Sequence, residues 1–331
     1  MEGVMAILVT GTGAAKLRNK VTNEELSHRV DTTDEWIRSH TGIGARHFAD
    51  DGVLTSDLGV EAARAALRQA GKTALDVDLI VMATISPDYF GFPSSACIVQ
   101  DKLGAANAAA LDVNAGCTGF IYGLDVAASM LASPTRKVAL VIGAETLSRI
   151  TDWSDRGTCV LFGDGAAAFV IEKTEDSSGR GVLNSWLRAK GSGATSLYLS
   201  QPDRVKTFER EESKAPPAIV MDGKSVYMFA VKAITDTIEA LLAESGYKLE
   251  DFRWIVPHQA NARIVQAAAK RFGIADDHIY MNIEEYANTS AASVPLALND
   301  LVEKGLIHQG DLVMAMGFGA GLTYGGVIIR W

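Results

Sequence analysis

Short runs in which every position is apolar alternate along this chain with longer stretches whose apolar residues recur at helical spacing. Leu79-Ile80-Val81-Met82-Ala83 and Val138-Ala139-Leu140-Val141-Ile142 have no polar face, which predicts strands buried on both sides. Residues 57–70 and 118–132 have helical spacing and an Ala-rich, helix-forming composition. Strand and helix in alternation predict a layered α/β fold, and the glycines cluster where strands turn into helices or other strands.

The pattern occurs twice. Adding 175 carries Ala65 onto Ala240, Gly71 onto Gly246, Asp76 onto Asp251 and Ile80 onto Ile255. Adding 174 carries Asn114 onto Asn288 and Gly143 onto Gly317, and lays residues 138–142 over the apolar run 312–316. Each half then closes on a Gly-rich turn and a strand, at 167–171 and 326–329. The chain therefore reads as two related halves, 1–175 and 176–331. Turn and surface-loop composition marks the boundary at roughly 176–217, including the charged run from Arg204 to Lys214.

Composition narrows the function. A length of 331 residues with 48% hydrophobic and 21% charged positions excludes a disulfide mini-scaffold and a disordered chain. The net charge of −9 argues against nucleic acid, and an acidic partner must find a local basic patch. Three scattered cysteines without a C-x-x-C pair suit a reducing cytoplasm and give no zinc or dithiol site. No basic leader and no apolar stretch of membrane-spanning length predict neither export nor a membrane span.

Candidate chemistry concentrates at three places. Cys117 lies in Asn114-Ala115-Gly116-Cys117-Thr118-Gly119, after an apolar segment and before a helical one. There a helix N-terminus favours thiolate over thiol. Cys97 and Cys159 lack that context and are assigned to packing. His258 follows the strand at 254–256, at a carboxyl strand end where α/β sites gather. The other histidines, His28, His40, His47, His278 and His308, have polar or loop surroundings that suit solvated side chains. The repeat places Asn288 opposite the Cys117 turn, so Cys117, His258 and Asn288 can converge if the halves pack face to face. Such a set suits a thiolate that carries an acyl group while N–H donors stabilise an enolate; a hydrolytic Cys-His-Asn triad is the alternative. Gly11-Thr12-Gly13 is expected to be a plain turn, because Lys16 stands where a dinucleotide fingerprint needs glycine. Gly317-Phe318-Gly319-Ala320-Gly321 suits either a hairpin turn or a loop offering N–H groups to an oxyanion.

At these residues the chain resembles the bacterial 3-oxoacyl-acyl-carrier-protein synthase III family, over nearly its whole length. The most specific pieces are Asp31-Thr32-Thr33-Asp34-Glu35-Trp36-Ile37, Phe92-Pro93-Ser94-Ser95-Ala96, the Cys117 turn, Asp155-Arg156-Gly157-Thr158, Phe162-Gly163-Asp164-Gly165-Ala166, the His258 and Asn288 motifs, and Gly317 through Thr323. The resemblance implies a thiolase fold, an α/β body of five αβαβα layers with two pseudo-equivalent halves, as a homodimer. It implies Cys117 as the nucleophile that takes an acyl group from acyl-CoA. His258 and Asn288 would promote decarboxylation of malonyl-acyl-carrier-protein, and the backbone N–H groups of Cys117 and Ala320 would form the oxyanion hole. Thr32, Trp36, Arg156 and Asn261 match CoA contacts, with acyl-CoA a substrate and no bound cofactor implied. Phe92 matches a residue that floors the acyl pocket across the dimer, and Arg263, Lys270 and Arg271 match the helix that docks the acyl carrier protein. The pattern departs at Ala287, where Gly is usual, at His40, where Arg is expected, and at Met228, where Lys is expected. Rivals are a thiolase-fold acyltransferase or a condensing enzyme of a polyketide or other secondary pathway, and a non-catalytic acyl-CoA-binding protein with an unreactive Cys117.

Overall fold

The computed structural model describes residues 5–200 and 216–331; the charged run Arg204 to Lys214 lies outside them. Two central sheets organise the chain. The first is built from β1 (Met5–Ala14), β2 (Leu79–Ala83), β3 (Ala109–Val113), β4 (Val138–Glu145) and β5 (Gly165–Glu175), in the order β1-β5-β4-β2-β3. The second is built from β6 (Gly181–Ala189), β7 (Phe252–Pro257), β8 (Leu312–Gly319) and β9 (Thr323–Arg330), in the order β7-β8-β9-β6. The equivalents keep their order and direction. Strand β4 is parallel to β2 and antiparallel to β5, as β8 is parallel to β7 and antiparallel to β9. The counterpart of β3 is reduced to a single parallel bridge between Ile279 and Ile255.

Helices complete five layers. Helices α1 (Thr55–Ala70) and α2 (Ser95–Leu103) cover the outer face of the first sheet, while α4 (Gly223–Ser245) and α5 (Ala262–Phe272) cover that of the second. Between the sheets lie α3 (Gly119–Met130) and α6 (Ser293–Glu303), each in contact with both. Alternation along β2 explains why its run is apolar throughout. Leu79 and Val81 point inward to Phe120 and Leu124 of α3, and Ile80 and Met82 point outward to Ala63 and Val99. All four strand residues are fully buried, which stabilises by about 1.5–3 kcal/mol for each large side chain.

The structure corrects four expectations. Strand β6 lies inside the segment expected to be turn and surface loop. It is an edge strand with half-buried faces, so its sequence lacks the apolar run that marks its neighbours. Gly11-Thr12-Gly13 lies within β1 at a register shift, not in a turn, and a methyl group on Gly11 would come 2.4 Å from the Ala66 carbonyl oxygen of α1. Glycine there lets helix and strand approach. Cys97 is exposed on α2, whereas Cys159 is buried. His47 is also no solvated histidine: its side chain is 12% exposed and its Nδ1 is enclosed without a partner.

Candidate active site

The two halves meet where the Cys117 turn, between β3 and α3, presses on the end of β8. Gly116 has a φ of +57°, and a methyl group there would lie 2.6 Å from the Ala320 carbonyl oxygen. Gly319 approaches as closely from the other side, its missing methyl 2.7 Å from Cys117 Cβ. Thr323 Oγ1 ties the seam by donating to the Ala115 carbonyl at 2.6 Å. His258 directly follows β7, where its backbone N–H donates to Met316 O at 2.7 Å. Its Nδ1 lies 2.6 Å from Ser293 Oγ at the start of α6, which leaves Nε2 for the cavity. Asn288 is held by its backbone between Leu161 and Gly163, and its Oδ1 accepts the Ser290 N–H at 2.9 Å. The Asn288 amide Nδ2 is thereby left as the free donor.

Burial controls the ionisation of these groups. Contrary to the thiolate expected at a helix N-terminus, it pushes the Cys117 thiol up to about 12, helped by the Glu145 carboxylate and opposed by the Ser290 hydroxyl and the N–H groups of Ala320 and Cys117. Those two N–H groups thus point where negative charge would develop. Burial lowers His258 to about 3, so the imidazole is neutral at physiological pH. Glu145, at the end of β4, is pushed up to about 7 by burial, against the hydrogen bonds it accepts.

Two cavities meet at Cys117. One, of about 230 Å³, carries His258, Asn288, Phe318, Asn261 and Trp36 on its walls. The other, of about 470 Å³, is walled by Ile85, Phe90, Ile150, Leu199, Ile219 and the Ala320 turn. The first leads toward the residues expected to hold CoA, and the second is apolar and lies beyond the thiol. Asn261 caps α5 by accepting from Arg263 N at 2.9 Å and donates to His40 O at 3.1 Å. Arg156 and Trp36 are brought together with the guanidinium 4.2 Å from the ring centroid. A purine between them therefore requires Arg156 to swing aside by roughly the thickness of a ring, about 3.5 Å. Thr32 is not on the walls of either cavity, and its Oγ1 is enclosed without a partner. Phe92 stands 91% exposed, outside both cavities. Arg263, Lys270 and Arg271 are all exposed along α5, with Arg271 3.6 Å from Glu239.

The family described as 3-oxoacyl-[acyl-carrier-protein (ACP)] synthase III matches residues 111–191, and its C-terminal part matches residues 242–331. A beta-ketoacyl-[acyl-carrier-protein] synthase III of Oceanobacillus iheyensis is 47% identical over 327 residues, 99% of each chain. The chain belongs to the 3-oxoacyl-[acyl-carrier-protein] synthase III family. Its fold is correspondingly that of the solved Aquifex aeolicus 3-oxoacyl-[acyl-carrier-protein] synthase III, at a TM-score of 0.90 and 39% identity over 98% of this chain and 100% of that one. The priming beta-ketosynthase from the R1128 polyketide biosynthetic pathway is also similar, at a TM-score of 0.89 and 33% identity over 98% of this chain and 96% of that one.

Within this synthase III member the departures acquire structural content. His40 stacks on Trp36 with ring centroids 4.4 Å apart and stands on the wall of the first cavity, so it is no merely solvated histidine. Met228 is 66% exposed on α4. Ala287 adopts φ 57° and ψ −157°, a region nearly reserved for glycine, so strain is tolerated beside Asn288. Sequence reasoning missed Ser293, Ser290 and Glu145. Ser293 begins α6 five residues after Asn288 in the same motif, but only the fold brings it to His258.

Proposed function

We propose that this chain initiates type II fatty-acid synthesis by decarboxylative condensation. Cys117 Sγ attacks the thioester of an acyl-CoA, releasing CoA, and the acyl group rests on Cys117. The thioester carbonyl of malonyl-acyl-carrier-protein then accepts from His258 Nε2 and Asn288 Nδ2. The bond to the carboxylate breaks, CO2 leaves, and the enolate carbon attacks the acyl-Cys117 carbonyl to give 3-oxoacyl-carrier-protein. The N–H groups of Cys117 and Ala320 take the charge of that tetrahedral step, where such donors are worth several kcal/mol in a dry site.

The observation that carries this reading is a neutral, Ser293-tethered imidazole beside a free amide donor, around a thiol that heads an apolar cavity. Among the described residues His258 makes no hydrogen bond to Cys117, whereas the hydrolytic triad needs that contact. In the same reading Trp36, Arg156, Thr32 and Asn261 serve CoA, and Arg263, Lys270 and Arg271 dock the acidic carrier. Phe92, with exposed Tyr89 and Phe90 nearby, meets a second copy. The chain divides functionally into 1–175, which supplies the thiol, and 176–331, which supplies His258 and Asn288. Free thiols at all three cysteines suit a cytoplasmic setting, and no helix among the described residues is long and apolar enough to cross a membrane. The similarity to a polyketide priming synthase supports a second reading, the same chemistry feeding a secondary pathway.

Incubation with acetyl-, isobutyryl- and longer acyl-CoAs, followed by malonyl-carrier-protein, tests the assignment through the mass of acyl-Cys117 and CO2 release. Cys117→Ser is expected to abolish acylation, and Asn288→Ala to retain acylation while losing condensation. Normal condensation by Asn288→Ala would refute the assigned role.

A further inference from the structure

The two side-chain donors that face the first cavity are aimed by one short segment. Asn288 opens it, and the Ser290 N–H fixes the Asn288 amide by donating to its Oδ1 at 2.9 Å. Further along the same segment, Ser293 Oγ lies 2.6 Å from His258 Nδ1. Ser293 is 2% exposed and His258 1%, so water does not compete for either group. Phe318 holds the imidazole from another side, edge to face with ring centroids 5.1 Å apart. The Ser293 hydroxyl is not engaged by the helix it begins, because Ala292 stands at the N-cap of α6 and no side chain caps that end.

The remaining partners decide which atom carries the hydrogen. The backbone N–H of Gln259 also reaches Ser293 Oγ, at 3.5 Å, and an N–H only donates. The oxygen accepts there, and among the described residues its own O–H has no acceptor other than His258 Nδ1. Were Nδ1 protonated, two N–H groups would converge on one oxygen whose own hydrogen had no partner in a closed interior, a costly arrangement. The partial positive charge at the start of α6 opposes a proton on Nδ1 as well. Burial keeps the ring neutral, with no charged side chain contributing, and a neutral ring with a bare Nδ1 carries its hydrogen on Nε2.

We propose that Ser293 is a positioning residue for condensation, its O–H donating to Nδ1 and so fixing His258 as the tautomer whose Nε2–H faces the cavity. This inference rests on the condensation reading above, which needs a donor at Nε2. In the other tautomer Nε2 would turn a lone pair toward the thioester oxygen of malonyl-carrier-protein and repel the negative charge that grows there as CO2 leaves. With Ser293 in place the Nε2–H donates to that oxygen throughout. The proton stays on nitrogen, while the electron pair of the breaking carbon–carbon bond moves into the enolate. A nitrogen that already carries hydrogen cannot take the Cys117 proton, so Ser293 has no part in acylation. One segment, 288–293, sets the polarity of both donors.

Nitrogen NMR of protein with isotopically labelled histidine tests the assignment, the His258 signals being identified by their loss in His258→Gln. At neutral pH the wild type is expected to show a bare Nδ1 and a protonated Nε2. Ser293→Ala should show a mixture of tautomers. Its CO2 release from malonyl-carrier-protein should slow about tenfold in kcat with KM within about twofold, while acylation of Cys117 by acetyl-CoA stays within about twofold of wild type. Ser293→Thr keeps the hydroxyl and should return both the single tautomer and the rate. A protonated Nδ1 in the wild type, an unchanged tautomer in Ser293→Ala, or acylation and condensation slowed alike would each overturn the proposal. So would a Ser293→Thr protein with the tautomer restored and condensation still slow. A wild-type protein that acylates Cys117 but releases no CO2 would instead overturn the condensation reading itself.

Discussion

The closeness of Gly116 to Ala320 can be tested by adding one methyl group. In Gly116→Ala the new carbon would stand 2.6 Å from Ala320 O and 2.8 Å from Ala320 N. Both are backbone atoms, so no side chain can rotate away, and the seam must open by about 0.8 Å to reach ordinary contact. The φ of +57° adds about 1–2 kcal/mol, because alanine resists the left-handed region. Gly71 separates the two effects: it has a φ of +65° and no atom within 4 Å of its missing methyl. Gly71→Ala should therefore lower the melting temperature by a few degrees and leave acylation and condensation unchanged. Gly116→Ala should lose more stability and also displace the Ala320 N–H. Misplacement on this scale costs about 100-fold in rate. Acyl-Cys117 formation by mass and CO2 release read the activity, and thermal melting reads the stability. Wild-type acylation within about threefold by Gly116→Ala would refute the argument that the seam fixes the oxyanion donors.

Two further outcomes follow from charge. Burial lowers His258 from 6.5 to about 3, so the unfolded chain takes up its proton first, and the associated stability, complete above pH 6.5, is lost as pH falls toward 3. Glu145, raised from 4.5 to about 7, acts oppositely, its contribution being complete below 4.5 and lost as pH rises through 7. Between 4.5 and 6.5 the two slopes, each up to about 1.4 kcal/mol per pH unit, oppose one another. Denaturant midpoints should therefore fall more steeply with acid in Glu145→Gln and less steeply in His258→Gln; identical profiles would contradict the burial argument. At the proposed carrier-docking face, Arg263→Glu should slow condensation with malonyl-carrier-protein about tenfold at low salt and flatten its salt dependence, with a smaller effect on acylation. An unchanged salt profile would remove α5 as the docking face.

Much of the fold is legible because the central strands are buried on both faces and leave unbroken apolar runs. β2, β4 and β8 announce themselves in this way, and the repeat follows from their spacing. Strand β6 does not, since an edge strand with half-buried faces tolerates Asn184, Ser185 and Arg188. The site divides along the same line. Cys117 and His258 sit at strand ends with sequence context that points to chemistry. Glu145 also ends a strand, but the neighbouring Thr146 and Leu147 make it resemble an ordinary charged terminus; its total enclosure depends on residues 84–86 and 291, far away in sequence. Nor could the adjacency of Trp36 and Arg156 reveal that their slot is closed. That depends on a side-chain rotamer, which spacing does not encode.

The offset of 174 that relates the halves also relates their seams. It carries Gly116 onto Ser290, and both have positive φ, 57° and 48°. It carries Cys117 onto Ala291 and Glu145 onto Gly319, so the chain contains the same crossing of turn and strand end twice. In one crossing a sulfur meets a residue with no side chain; in the other a methyl group meets a carboxylate. Of the two crossings, the first alone carries a nucleophile. The second copy abuts the working one, and its Ser290 stands with Cys117 on the wall of the larger cavity, so the two crossings share one lining.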